Sequence, residues 1–298
     1  MSSTESIKSR LKNIAIIENS TVQNELILYA IERSIYRISI SKYNDKFILK
    51  GGIFLYAIFD RNYPRATQDI DLLANNITND ITKIKDVFAD IFSFGCDDCL
   101  KFDLNSLSVE PITEFKEYHG LNVSILAYLD RTKIPVSIDI GYGDVICPNR
   151  IEMEFPVLLD MPVPKIFAYS IYSVVAEKFE AFVSLGILNS RYKDYYDIYV
   201  IAKNTNLDGK ELQNAITETF DNRKTSFDNI VTFSENFKNS NLNKTRWRNF
   251  IKKKQVSLNI DFIDVINLCE QLLLPVVNHI KENQSFTKIW DATLEKWI

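Results

Sequence analysis

Two hydrophobic periods divide the chain. From Thr21 to Lys42, apolar residues recur at Val22, Leu26, Ala30, Ile31, Ile35 and Ile38, and these intervals of three and four predict an amphipathic helix capped by Ser20 or Thr21. The same spacing returns at Ile81, Ile84, Val87, Phe88 and Ile91, predicting a helix over Asn79–Phe94. Between them, the short apolar runs Phe47–Leu49 and Ile70–Leu73 read as buried strands, and Lys101–Pro111 predicts another. Leu121, Val123, Ile125, Ala127 and Leu129 then alternate strictly with other residues, as do Ile134, Val136, Ile138 and Ile140. With Asp130–Lys133 as the turn, that is a β-hairpin. From Ser170, a candidate N-cap, the period becomes helical again. Ile171, Val174, Val175, Phe179, Phe182 and Val183 line a helix ending near Gly186, and Arg191–Lys203, Asp208–Arg223 and Leu258–Ile280 predict further helices. Residues Lys224–Asn243 are polar and loop-rich. The order predicts an α/β (α+β) protein whose mixed-sheet core is flanked by N-terminal and C-terminal helices. Residues 1–204 would form one domain and 205–298 a mainly helical region.

The densest chemistry lies between Phe47 and Leu73. The first strand runs into Gly51-Gly52, a turn where backbone can approach a ligand closely, and a short helix over Ile53–Phe59 follows. After a polar loop with Pro64, Arg65 and Thr67 comes Asp69-Ile70-Asp71-Leu72-Leu73. Side chains alternate along a strand, so Asp69 and Asp71 share one face while Ile70 and Leu72 enter the core. Two carboxylates on one face repel unless a cation lies between them. Paired hard oxygens suit Mg²⁺, which takes one or two carboxylates and leaves its other positions to water and phosphates.

A glycine pair, a short helix and Asp-x-Asp on a strand resemble the nucleotidyltransferase fold of the DNA polymerase β kind. The similarity continues through Ile138-Asp139-Ile140, AEKFEA (Ala176–Ala181) and RYKDYYDIY (Arg191–Tyr199). As an ordered set over Phe47–Lys203, these resemble the AbiEii/AbiGii toxin family of nucleotidyltransferases. The resemblance implies a Mg²⁺-dependent enzyme that moves NMP from an NTP to an RNA hydroxyl, the tRNA acceptor end being a candidate. It also implies a toxin–antitoxin or abortive-infection, phage-defence setting with a cognate antitoxin. In such enzymes Asp69 and Asp71 hold the metal, and a third carboxylate on a neighbouring strand assists the attacking hydroxyl or completes the metal site. Asp139 is the candidate here; the bland alternative is a solvated strand residue. Lys50, Gly51, Gly52, Arg65 and Thr67 would serve the nucleotide phosphates. One departure is Ile53, where the pattern often places Ser or Thr beside the second glycine, so a hydroxyl contact to phosphate is missing.

Lys178 shares a helical stripe with Val174, Ala181 and Leu185, where an ammonium is costly to bury without an anion. A triphosphate would supply that anion; alternatively the side chain snorkels to water. On the next helix, Lys193 and Asp197 could form a surface pair, yet Tyr195, Tyr196, Ile198, Tyr199, Val200 and Ile201 leave little exposed face. The resemblance assigns Asp194 and Asp197 to a last active-site motif, one of them fixing Lys178 or the nucleotide.

Composition narrows the class. Of 298 residues, 46% are hydrophobic and 25% charged, as in globular chains. The apolar runs are too short for a membrane span, and the first residues lack a signal-peptide core, so the sequence reads as cytoplasmic with no membrane partner. Cys96 and Cys99 form a CxxC without the second pair a zinc site needs. A net charge of −4 argues against a uniformly basic nucleic-acid binder. Locally, however, Lys244, Arg246, Arg248, Lys252, Lys253 and Lys254 are interleaved with Trp247 and Phe250. That pattern suits RNA phosphates and unstacked bases, against the plain alternative of a solvated helix face. A second function class also fits: a non-catalytic nucleotide-binding module that arrests growth by occupying a partner.

Overall fold

The computed structural model describes residues 3–63, 67–112, 120–228, 230–253 and 260–298. Its packing separates two units, Met1–Gly143 with Arg150–Tyr169, and Asp144–Asn149 with Ser170–Ile298. The helix beginning at Ser170 packs with the C-terminal helices and so belongs to the second unit.

In the first unit, helices α1 (Thr4–Ile17) and α2 (Val22–Ile40) precede β1 (Phe47–Lys50), α3 (Gly51–Ile58), β2 (Ile70–Ala74) and α4 (Ile81–Ser93). Strands β3 (Leu100–Pro111), β4 (Leu121–Leu129), β5 (Thr132–Gly141), β6 (Ile151–Glu154) and β7 (Lys165–Ala168) complete it. They form a mixed seven-stranded sheet, order β3-β4-β5-β2-β1-β7-β6. The alternation in β5 works as predicted: Ile134, Val136, Ile138 and Ile140 are buried, while Pro135, Ser137 and Asp139 lie on the other, more open face. The hairpin turn is shorter than predicted, Asp130-Arg131 alone, with Asp130 at φ 56°. That tight turn sets the register Leu129↔Thr132 and carries it back to Asn122↔Asp139.

Elements α1, β6 and β7 of this unit were not predicted, and α2 differs from its prediction. Strand β6, Ile151-Glu152-Met153-Glu154, is an edge strand whose alternation is only four residues long, too short to stand out as a period. Helix α2, predicted to be amphipathic, buries much of its polar stripe as well. Arg37 makes a two-pronged contact with Asp98 at 2.6 and 3.1 Å, while Glu32 meets Arg33 at 2.8 Å and accepts from the Leu158 amide at 2.5 Å. The Thr21 hydroxyl accepts from the Asn24 amide at 3.2 Å, which makes Thr21 the cap.

The second unit holds α5 (Ile171–Leu185), α6 (Tyr192–Asn204), β8 (Leu207–Asp208), α7 (Gly209–Asn222), α8 (Glu235–Asn239), α9 (Asn241–Lys253) and α10 (Phe262–Lys281). Strands β9 (Ile289–Asp291) and β10 (Lys296–Trp297) join β8 in a small sheet. Ser170 caps α5 by accepting from the Ser173 amide, and Gly186 at φ 50° ends it. Tyr192, Tyr195, Phe237, Trp247 and Phe262 form an aromatic core among α6, α8, α9 and α10. Asp144 pairs with Arg223 at 2.7 Å.

Candidate active site

The first unit brings the glycine turn and the strand carboxylates together. Strand β1 lies antiparallel to β2 with Lys50 opposite Asp71. At Gly51 the chain turns through φ +68° into α3, and a Cβ there would overlap the Asp71 carboxylate and come within 2.7 Å of its Cβ. Only glycine allows β1 to pass so close to Asp71 with that backbone. The Gly52 amide points at Asp71 Oδ2 across a long 3.4 Å. Lys50 Nζ is 3.3 Å from the Tyr169 hydroxyl and 5.0 Å from the centre of its ring. Tyr169 is held in turn by its amide, which donates to the Leu49 carbonyl at 2.9 Å.

On the other side of β2, strand β5 runs parallel with Asp139 in register with Asp71. Neighbouring strands stand about 4.8 Å apart, so the two side chains emerge side by side on one face. Both are half-buried, and Asp69, one residue ahead of β2, is exposed. Asp139 is not merely solvated. Asn122 Nδ2 donates to Asp139 Oδ1 at 2.7 Å and to Ser137 Oγ at 2.9 Å, and the Ser124 hydroxyl donates to Asn122 Oδ1 at 2.8 Å. Sequence reasoning passed over Asn122, although counting the ladder back from a two-residue turn pairs it with Asp139. Thr67 is half-buried in the loop leading to β2, while Arg65, like Lys254, lies outside the described residues.

Among the described residues, no group of three His, Cys, Asp or Glu side chains is arranged as a ready metal cage. Asp71 and Asp139 share one face of the sheet, and Asp69 precedes Asp71 on the same strand line. The donor set still fits Mg²⁺, which needs only one or two carboxylates when substrate phosphates supply other positions.

In the second unit, Lys178 on α5 is 9% exposed, and it does not snorkel. Its Nζ lies 3.0 Å from Asp194 Oδ1 and 2.7 Å from Asp197 Oδ2 on α6, both carboxylates being fully buried. The protein itself thus supplies the anion that the Lys178 stripe called for. Arg191 Nε adds a contact to Asp194 Oδ2 at 2.7 Å. Burial alone pushes the Asp194 carboxyl up, but Lys178 and then Arg191 reverse this and hold it below its usual range. With Asp197 internal and Lys193 exposed, the surface pair considered from sequence gives way to the buried one.

The basic segment is helix α9. Arg246, Arg248, Lys252 and Lys253 are exposed and Lys244 is half-buried. Trp247 corrects the expectation of a base-stacking surface: it is 2% exposed, and its Nε1 donates to the Ile260 carbonyl at 2.7 Å. Its ring belongs to the aromatic core, so α9 offers charge to a partner far more than it offers aromatic faces.

The family model for the nucleotidyltransferase AbiEii toxin, a type IV toxin–antitoxin system, matches residues 33–265. The chain belongs to this family. The match spans the glycine turn, the strand carboxylates and the Lys178 cluster alike, and makes the protein a nucleotidyltransferase. Solved structures agree on the fold. A candidate nucleotidyltransferase from H. pylori aligns with a TM-score of 0.50 at 11% identity, covering 88% of this chain and 97% of that one. JHP933 from Helicobacter pylori aligns with a TM-score of 0.50 at 10% identity, covering 85% and 92%. No curated protein matches in sequence. No helix among the described residues is long and apolar enough to cross a membrane.

Proposed function

We propose that this toxin-family enzyme transfers NMP from an NTP to an RNA hydroxyl, with the tRNA acceptor end as substrate, inside the cell and under the control of a cognate antitoxin, as an abortive-infection device. The observation that carries the reading is the register of Asp71 and Asp139 on adjacent parallel strands, with the Gly51 turn packed against Asp71. Mg²⁺ held by Asp71 and Asp69, with Asp139 as a further ligand or as the base, would neutralise phosphate charge and polarise the α-phosphate.

The remaining chemistry belongs to the chain. The amides at the start of α3 and the Lys50 ammonium would bind the β- and γ-phosphates, an anion site of the usual helix N-terminal kind. Thr67, and Arg65 by the resemblance, would add further contacts to the phosphates. Asp139, oriented by Asn122, would accept the proton of the RNA hydroxyl as its oxygen bonds to the α-phosphorus. The bond from that phosphorus to the β-phosphate oxygen breaks, and pyrophosphate leaves. Exposed Arg246, Arg248, Lys252 and Lys253, with Lys244, would hold RNA phosphates by charge.

Incubation with α-phosphate-labelled NTPs, Mg²⁺ and total RNA tests the reading. Labelled RNA is expected from the parent protein and none from Asp69→Ala or Asp71→Ala, both folded, because removing one of two neighbouring carboxylates relieves repulsion. Undiminished transfer by either variant overturns the metal assignment. NTP binding without transfer would instead identify a nucleotide-binding module that arrests growth through a partner.

A further inference from the structure

The open face of β3–β5 carries a pocket of about 350 Å³, beginning at Asp69 and lined by Ser106, Ser124, Leu126, Pro135 and Ser137. The ladder fixes rows along this face: Asn122 opposite Asp139 next to the lining, then Ser124 opposite Ser137 and Leu126 opposite Pro135 within it. The first row holds the candidate base, the second offers hydroxyls and the third is apolar. Ser106 enters from β3, where the register with β4 shifts between Asp103 and Ser108; its hydroxyl donates to the Asp103 carbonyl at 2.6 Å and accepts from the Leu126 amide at 2.9 Å. A bulge beside an active site that re-aims one side chain is a recurrent device.

The lining selects a ligand class. Among the described residues it contains one charged side chain, Asp69, and no cation, so it suits an uncharged ring with hydrogen-bonding edges and repels phosphate. Apolar surface with a few placed hydroxyls is the usual make-up of small-ligand sites. Ser137 Oγ accepts from Asn122, which leaves its own proton to donate into the pocket. The sheet order assigns the occupant. The glycine turn lies on the β1 side of Asp71, and the pocket lies on the β5 side. In an in-line displacement the entering hydroxyl and the leaving pyrophosphate stand on opposite sides of the α-phosphorus. With the leaving group toward the glycines, the entering nucleoside belongs on β3–β5.

We propose that this pocket holds the terminal nucleoside of the RNA acceptor, its ring between Leu126 and Pro135 and its polar edge on Ser124 and Ser137. The assignment rests on the transferase reading for the direction of attack, and its test does not depend on turnover. Single-stranded oligonucleotides ending in 4-thiouridine are irradiated with the full-length protein, and the adduct is mapped by mass spectrometry. The adduct is expected on the β4–β5 rows; an adduct confined to other elements overturns the proposal. Leu126→Trp, which fills the pocket away from Asp139, is expected to abolish that adduct. It should also raise the acceptor KM roughly ten-fold or more while the melting-temperature shift given by NTP and Mg²⁺ stays unchanged. Loss of the NTP shift with an intact adduct would place the NTP nucleoside in the pocket and overturn the proposal, as would a variant that behaves like the parent. Should Leu126→Trp not fold, Pro135→Trp on the facing strand fills the same space. An adduct in the pocket from a protein that transfers no label would leave the pocket assignment standing and remove the transferase reading alone.

Discussion

Gly51 lies against Asp71 so closely that the two positions are one structural unit: the turn exists in this form because residue 51 has no side chain. Substituting alanine combines a left-handed backbone, which costs an L-residue about 1–2 kcal/mol, with a displaced carboxylate. Gly51→Ala is expected to lower the urea midpoint and to abolish label transfer. A variant of parental stability and activity would show that the Asp71 side chain moves aside without consequence.

Asn122 orients Asp139 through a 2.7 Å hydrogen bond and touches no proposed phosphate site. Removing a residue that orients a functional side chain typically reduces activity about 10–100-fold. Asn122→Ala should therefore lower kcat within that range while leaving the KM for NTP near the parent value. The pH profile of kcat separates this from a general loss of folding: a mis-oriented base should alter the profile, whereas a smaller active fraction lowers kcat equally at every pH.

Lys178 bridges two fully buried carboxylates, so Lys178→Met leaves Asp194 and Asp197 facing each other without their shared cation. Breaking a buried ionic contact by removing one partner costs about 3–5 kcal/mol. Chemical denaturation should register that loss in the absence of any nucleotide. Stability equal to or above the parent, the outcome expected of a lysine that snorkels or serves only a triphosphate, would contradict the pairing.

Glu32 supplies a pH dependence of definite sign. Burial pushes its carboxyl up to about 7, despite the opposing effect of Arg33. The folded state therefore binds a proton that the unfolded chain releases near pH 4.5, and stability falls as pH rises through the interval between about 4.5 and 7. Glu32→Gln should remove a slope amounting to on the order of 2–3 kcal/mol between pH 5 and 8. Burial also raises Glu25, which contributes in the same direction, so the slope should shrink and not vanish. Asp194 acts at lower pH and with opposite sign, its contribution being lost as pH falls through its depressed range.

Arg248 and Lys252 are exposed on α9, four residues apart. If they meet RNA phosphates, Arg248→Ala combined with Lys252→Ala should weaken RNA binding and reduce the slope of log K against log salt by about 2. Filter binding across a salt series reads both quantities, and an unchanged slope would return the face to solvent.

Local pattern by itself determined the main elements, because helical and strand periods are written in neighbouring residues: α2, α4, the β4–β5 hairpin, α5 and the glycine-to-carboxylate segment follow from spacing alone. The shared face of Asp69 and Asp71 is equally local, since alternation needs no partner strand. Which strand lies beside β2 is not local. Only the sheet order places Asp139 in register with Asp71 and Asn122 behind Asp139, and that register depended on a turn two residues shorter than the sequence suggested. The anion for Lys178 was similarly undecided, because a charged residue on an apolar stripe states a need without naming its partner; packing of α6 on α5 supplies Asp194 and Asp197. Trp247 shows the same limit in reverse. Its neighbours in sequence are cations, which read as a surface, whereas its neighbours in space are aromatic rings, and burial follows contacts between distant segments that no run of adjacent residues encodes.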